Sequence, residues 1–354
     1  MSTSSIAVDA NPATRPVVTG TERYTREVCM RLPRLAPDLH WQFFASRPKA
    51  DVGVDVTVLP FRRLWSQLRL PIQLAAARPD LLFVPGHSVP FAWTGRAVAV
   101  IHDLAYERHP EAYSAAARLH LRLTTRWAVS RCRILIAVSE STKKDLVSLY
   151  GADAARIRVV PNGGGEKATG KAASASELGR LGLTGDFVLQ VGRVEARKNQ
   201  IAALAAVERI PGLVLAVAGP EADSGIAARL RRSDACRVLG RVNDATLELL
   251  YKRAKAVVVP SLYEGFGIPV LEAMSRGQVV VAAKTSSLPE VGGDAVLYVD
   301  DPGDAAAFAA VLEPAMADGP ARKSLTRKAV ARAREFTWDR CAAGVVSAVR
   351  EALN

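Results

Sequence analysis

Short apolar runs alternate with longer amphipathic stretches along almost the whole chain. Ile6–Asp9, Trp41–Phe44, Val54–Leu59, Leu81–Val84, Ala97–Ile101, Ile134–Val138 and Ile157–Val160 have the length of buried strands. Between them, Thr21–Leu35, Leu64–Ala77, Glu111–Val129 and Glu140–Tyr150 repeat apolar residues at helical spacing, and Ser139 suits the N-cap of the last. The pattern stops at Asn162–Ser176, a small, polar, glycine-rich stretch that reads as a linker. It then restarts. Strands are expected at Phe187–Val191, Val214–Ala218, Ala256–Val259, Val279–Ala282 and Ala295–Val299. Helices are expected at Gln200–Arg209, Gly225–Arg231, Ala245–Arg253 and Ile268–Arg276, and three more, Asp304–Ala317, Ala321–Phe336 and Asp339–Leu353, close the chain.

This alternation predicts an α/β protein with mostly parallel sheets and helices on both faces. At 354 residues it also predicts two domains, here 1–165 and 176–337, with the closing helix of about 338–354 as a separate element. In such sheets ligands bind at the carboxyl ends of the strands, so chemistry is expected just after strands.

Composition narrows the picture. Hydrophobic residues make up 49% and aromatics only 6%, which favours Ala-rich helices on sheets over an aromatic sandwich. No apolar run approaches the roughly 20 residues that span a bilayer. The N-terminus reads as a short tail entering a strand rather than a signal peptide. The four cysteines lie far apart, without metal-ligand or redox spacing, as expected of reduced thiols in a cytoplasmic protein. The net charge of +12 points to an anionic partner, although an Arg- and Ala-rich composition supplies positive charge without any specific function.

Three segments carry candidate chemistry. Gly192-Arg193-Val-Glu195-Ala-Arg197-Lys198-Asn199 follows a strand and opens a helix. Backbone N–H groups and the helix dipole already favour an anion there, and Arg193 and Lys198 add the charge that a diphosphate needs. Ser261-Leu-Tyr-Glu264-Gly265-Phe266-Gly267-Ile-Pro269-Val-Leu-Glu272 follows another strand. Gly265 and Gly267 permit close backbone approach, Pro269 suits a first helical turn, and Phe266, Gly267 and Ile268 present N–H groups. Its two glutamates are not a hydrolase pair: eight helical residues rise about 12 Å, against the roughly 5 Å of a retaining glycosidase. The third segment ends a strand with His102-Asp103.

These segments, with Thr21-Glu-Arg-Tyr-Thr-Arg-Glu, Val159-Val-Pro-Asn162-Gly163 and Ser286-Ser-Leu-Pro-Glu-Val291, resemble glycosyltransferase family 4 in order and spacing over nearly the whole chain. The resemblance implies a GT-B fold, with two Rossmann-like domains facing across a cleft and the last helix crossing back to the N-terminal one. It implies a retaining, metal-independent hexosyltransferase, mannosyltransferase-like and suited to polysaccharide biosynthesis, with a GDP- or UDP-linked sugar as donor, GDP-mannose being the best guess. The acceptor would be a glycan or a lipid-linked one. Arg193 and Lys198 would hold the diphosphate, Glu272 the ribose, and Glu264 with Gly265, Phe266 and Gly267 the donor sugar. Gly192 would line the diphosphate site, Arg241 and Val242 after Gly240 the base, and His102 the reacting sugar. Asp103 would orient His102 or touch the acceptor. Gly20 would approach the diphosphate from the other domain, although Glu22 beside it is unfavourable unless turned away. Among these residues none stands out as a covalent nucleophile, so the expected mechanism is front-face displacement with the leaving phosphate deprotonating the acceptor.

No cofactor and no metal are expected; Asp300-Asp301 before Pro302 reads as a loop. Peripheral attachment at the inner face of the membrane is a further expectation, from the basic amphipathic segment Arg62–Leu70 and the stripe Arg118, Arg122 and Arg126. The competing picture is an ordinary helix with Trp65 and Leu68 in the core. Alternatives of other classes are a sugar-nucleotide epimerase, a phosphorylase (which would need a longer chain with a cofactor lysine) and a nucleic-acid-binding protein. The last is disfavoured because no basic–aromatic interleaving or known module is present.

Overall fold

A computed structural model describes residues 3–15, 20–48, 52–61, 64–164 and 172–354. Arg62 and Arg63 of the basic segment and residues 165–171 of the expected linker lie outside the described residues.

The chain forms two compact units, Met1–Gly163 with Thr337–Asn354, and Gly164–Phe336. The first holds seven strands: β1 (Ser5–Asp9), β2 (His40–Ala45), β3 (Val56–Val58), β4 (Leu81–Val84), β5 (Arg96–Ile101), β6 (Ile134–Ala137) and β7 (Ile157–Val159), in the order β3-β2-β1-β4-β5-β6-β7. The second holds six: β8 (Phe187–Val191), β9 (Val214–Ala218), β10 (Cys236–Gly240), β11 (Ala256–Val259), β12 (Val280–Ala283) and β13 (Leu297–Val299), in the order β10-β9-β8-β11-β12-β13. Every pairing among these strands is parallel. The central strands β4, β6, β11 and β12 are buried at every position, as a sheet covered on both faces requires.

Three local expectations change. The single helix expected over Thr21–Leu35 is two, Gly20–Cys29 and Leu32–Leu35, because Pro33 lacks an N–H and can only begin a new helical turn. The helix expected from Glu111 starts at Ala115 instead, where the Ser114 hydroxyl caps it by accepting from the Ala117 N–H. Strand β10 escaped notice because Cys-Arg-Val-Leu-Gly is an edge strand with a half-buried, charge-interrupted pattern.

The last helix, Trp338–Leu353, belongs to the first unit. Its apolar face buries Trp338, Val345, Val349 and Ala352, and Arg31 and Arg34 both bond Asp339 at 2.8 Å. Gly163 admits it: a Cβ there would lie 2.4 Å from the Trp338 nitrogen.

Candidate functional site

Both sheets reverse their winding direction at one place. In the second it lies between β8 and β11, in the first between β1 and β4. Such a switch point leaves a crevice outside the carboxyl ends of the two strands, the usual ligand position in open α/β sheets.

In the second unit the loops after β8, β9 and β11 are stitched together. Gly192 (φ +146°) donates its N–H to Ala218 O at 2.9 Å, and Val194 donates to Pro220 O at 3.0 Å. Gly219, which sequence reasoning passed over, makes this possible: at φ +156°, a Cβ would sit 1.9 Å from Gly192 O. Asn199, in the left-handed region at φ +54°, donates its side-chain N–H groups to Pro260 O at 3.1 Å and Pro302 O at 2.6 Å. Leu262 N donates to Arg197 O at 2.9 Å.

Across this seam Lys198 Nζ lies 2.6 Å from Glu264 Oε1, which also accepts from Ser261 Oγ at 2.8 Å. Arg197, not singled out from sequence, lies 3.6 Å from Glu264 Oε2, bonds Glu195 at 2.8 Å and donates to Tyr263 O at 2.8 Å. Glu264 is buried. Burial alone would raise its pKa, but the Lys198 and Arg197 charges and the bonds from Lys198 and Ser261 outweigh this and hold it below the ordinary carboxylate range. The sequence reading placed Lys198 on a diphosphate and Glu264 on a sugar, each by itself; a ligand meets them as a bonded pair. Arg193 differs. Its side chain is 57% exposed, with Glu195 at 3.8 Å.

Gly267, at φ +101°, is the N-cap of helix Ile268–Ser275, with Pro269 in the first turn. The N–H groups of Phe266, Gly267 and Ile268 have no hydrogen-bond acceptor among the described residues. The Phe266 ring packs edge-on against Phe336, while the Glu264 backbone is fixed by Ser286 Oγ, which accepts its N–H, and by Ser287 Oγ, which donates to its carbonyl. Glu272, half-buried one turn inside the helix, accepts from Tyr251 Oη at 3.0 Å. Arg241 is exposed and Val242 half-buried just past the end of β10, the edge strand, where Gly240 O accepts from Gly219 N at 2.8 Å. Gly265 is buried beside Glu264.

In the first unit His102 follows β5. Its Nε2 lies 2.8 Å from Pro85 O, and its ring meets Tyr24 edge-on at 4.8 Å. A carbonyl only accepts, so Nε2 carries the proton and Nδ1 is left with its lone pair. Burial lowers the His102 pKa against the opposing charges of Asp103 and Glu22, which keeps the ring neutral. Asp103 does not bond it; Asp103 Oδ1 accepts from Ala105 N at 3.0 Å and caps the next turn. Gly20 is the exposed first residue of its helix. The Glu22 carboxylate is buried and bonded to Arg15 at 3.0 Å, so its charge is offset. His87, missed because Pro85-Gly-His-Ser matches no motif, lies after β4 at the switch point. Its Nδ1 is buried with no hydrogen-bond partner among the described residues, and burial, then the cost of a second positive charge beside His102, lowers its pKa to about 4.

Residues 18–163 match Glycosyltransferase Family 4, and residues 179–332 match Glycosyl transferases group 1. The chain is similar to O-antigen chain mannosyltransferase B of Escherichia coli, 30% identical over 269 residues that cover 72% of this chain and 70% of that protein. The chain belongs to glycosyltransferase family 4.

Another family relative is the D-inositol 3-phosphate glycosyltransferase of Acidothermus cellulolyticus, 34% identical over 62% of this chain and 53% of that one; the chain thus matches about half the length of this relative. The fold is similar to that of Anabaena Alr3699/HepE, solved in complex with UDP-glucose, with a TM-score of 0.77, 18% identity and coverage of 98% and 99% of the two chains. Two Rossmann-like parallel-sheet units are thus the GT-B architecture of this glycosyltransferase. Among its described residues no three metal-ligating side chains cluster; Asp300 pairs with Lys284 at 3.1 Å, and Asp301 accepts from Gly303 N at 2.8 Å. No helix among them is long and apolar enough to cross a membrane. All four cysteines are buried as free thiols, and burial pushes those of Cys132 and Cys236 up to about 12, so neither is a nucleophile at neutral pH.

Proposed function

We propose that this glycosyltransferase moves a hexose, with retention and without a metal, from a nucleoside diphosphate sugar to a hydroxyl of a glycan or lipid-linked acceptor. The observation that carries this reading is the switch point of the second sheet. There the exposed Arg193, the Lys198–Glu264 pair and three N–H groups of a helix start meet on loops stitched to one another. Anions are favoured at such a helix start, and the exposed guanidinium offers a bidentate fork to a diphosphate. GDP-mannose is the preferred donor, supported by the similarity to a mannosyltransferase; UDP-glucose is supported by the fold likeness to a protein solved with it.

In the proposed reaction the acceptor oxygen bonds the anomeric carbon as the bond from that carbon to the phosphate oxygen breaks. The acceptor proton passes to the departing phosphate, which leaves as the nucleoside diphosphate. Arg193 and Lys198 stabilise the charge that develops on it, the largest single contribution such a site makes. Glu264 anchors Lys198 and faces the sugar, and Glu272 binds the ribose hydroxyls. Gly192, Gly265, Phe266 and Gly267 bring backbone close to the diphosphate and sugar, while Arg241 and Val242 line the base. His102 is neutral with Nδ1 available as an acceptor, suited to a sugar hydroxyl; Asp103 and Gly20 lie at the same end of the first sheet, where Asp103 is suited to an acceptor hydroxyl. Incubation with GDP-mannose, UDP-glucose and a panel of glycan acceptors, followed by NMR of the products, tests this. A new glycoside with the donor's anomeric configuration is expected. Conversion of the nucleotide sugar with no acceptor present would identify an epimerase instead.

A further inference from the structure

The first unit carries an apolar surface that its fold does not use. On helix Trp65–Ala77, Trp65, Leu70 and Leu74 are buried, but Leu64 just before it, Leu68 and Ile72 stand in a row at four-residue spacing, 63%, 50% and 65% exposed. Leu68 therefore lies outside the core rather than in it. On helix Ala115–Arg131, Leu119 and Leu123 repeat the same spacing and are exposed.

The two rows are joined. Gln67 receives the Phe91 N–H at 3.0 Å, and the half-exposed Phe91 ring meets Trp127 edge-on at 5.6 Å. Trp127 donates to Pro90 O at 3.1 Å, and the Arg131 guanidinium lies over its ring at 5.5 Å. The surface thus runs from one helix through the loop that follows β4 to the other helix. Neither helix, nor the loop 85–95, contains an Asp or Glu. Arg69, Arg126 and Arg131 form no ion pair among the described residues.

We infer that this face docks on an anionic lipid bilayer, with Leu64, Leu68, Ile72, Phe91, Leu119 and Leu123 entering the headgroup–acyl boundary and the arginines meeting lipid phosphates. Aliphatic rows framed by unpaired cations are what an interfacial surface requires. A second copy is disfavoured by charge: a self-complementary contact would set Arg69, Arg126 and Arg131 against one another, and neither helix nor the joining loop supplies an acid to offset them. Nucleic acid is disfavoured because leucine and isoleucine offer no stacking platform and no partner for a phosphate. The loop that joins the rows also carries His87, so docking places the carboxyl end of the first sheet beside the bilayer, where a lipid-linked acceptor presents its head.

The test is sedimentation of the full chain with phosphatidylglycerol-containing and with purely phosphatidylcholine vesicles at low salt. Wild type is expected to pellet with the first and not the second. Leu68→Glu/Ile72→Glu and Leu119→Glu/Leu123→Glu are each expected to cut binding at least about tenfold, since apolar insertion drives interfacial binding. Both pairs are exposed, so the thermal transition should hold; Leu68→Gln/Ile72→Gln serves if it does not. Wild type remaining in the supernatant, or variants pelleting as well as wild type, overturns the inference. So does a lipid-free dimer that the same substitutions make monomeric, which would assign the face to a second copy. Vesicle binding does not depend on turnover, so its failure and failure of the proposed reaction are separable.

Discussion

Lys198 Nζ and Glu264 Oε1 sit 2.6 Å apart, joining the loop after β8 to the loop after β11 at the switch point of the second sheet. Their side chains are only 12% and 7% exposed, so removing one leaves the other charged and nearly dry. Lys198→Met should therefore lower stability by about 2 to 3 kcal/mol, roughly 5 to 10 °C in Tm, with Arg197 limiting the loss. The double variant Lys198→Met/Glu264→Gln should regain most of this in a melting experiment while still failing to transfer sugar. Recovery of activity along with stability would show the pair to be structural only.

Gly219 faces a main-chain atom, not a flexible side chain, so nothing nearby can yield cheaply. Gly219→Ala should pull the Gly192 loop from its place and weaken donor binding more than tenfold, since a misplacement of about 1 Å costs that order in an oriented site. Gly212→Ala is the control: also at positive φ, +74°, but with nothing within 4 Å of its Cβ. Equal effects of the two substitutions on donor affinity would remove Gly219 from the account.

Asp9 ends β1, is 6% exposed, and burial raises its pKa to about 6 against the Asn11 hydrogen bond and the Arg15 charge. The folded state holds its proton more tightly than the unfolded one, so the ionised form is penalised above pH 6. Asp9→Asn should be more stable than wild type at pH 8, on the order of 2 kcal/mol, with the advantage shrinking as pH falls and gone below the unfolded value near pH 4. Denaturant titrations at pH 4, 6 and 8 check this; an advantage that grows toward acid would contradict the sign.

Most of the architecture was legible because parallel strands covered on both faces leave continuous apolar runs, such as Leu81–Val84 and Ala256–Val259. Motif spacing brought the segments 192–199 and 261–272 to strand ends. What stayed hidden depends on three dimensions. Arg197 and Gly219 matter through partners on other loops, at 66 residues' separation for the Arg197–Tyr263 bond. The edge strand β10 lacks an apolar run. The exposure of Leu68 could not be told from burial, because its helix carries apolar residues on both faces.

The most direct test of the donor site uses Arg193, which is exposed and contributes little to folding. Isothermal titration of GDP and UDP into wild type and Arg193→Ala compares one charge-assisted contact in otherwise identical proteins. Binding of at least one nucleotide to wild type, weakened about tenfold or more in Arg193→Ala with Tm unchanged, is the predicted result. No heat with either nucleotide, or equal affinity in the two proteins, would contradict it.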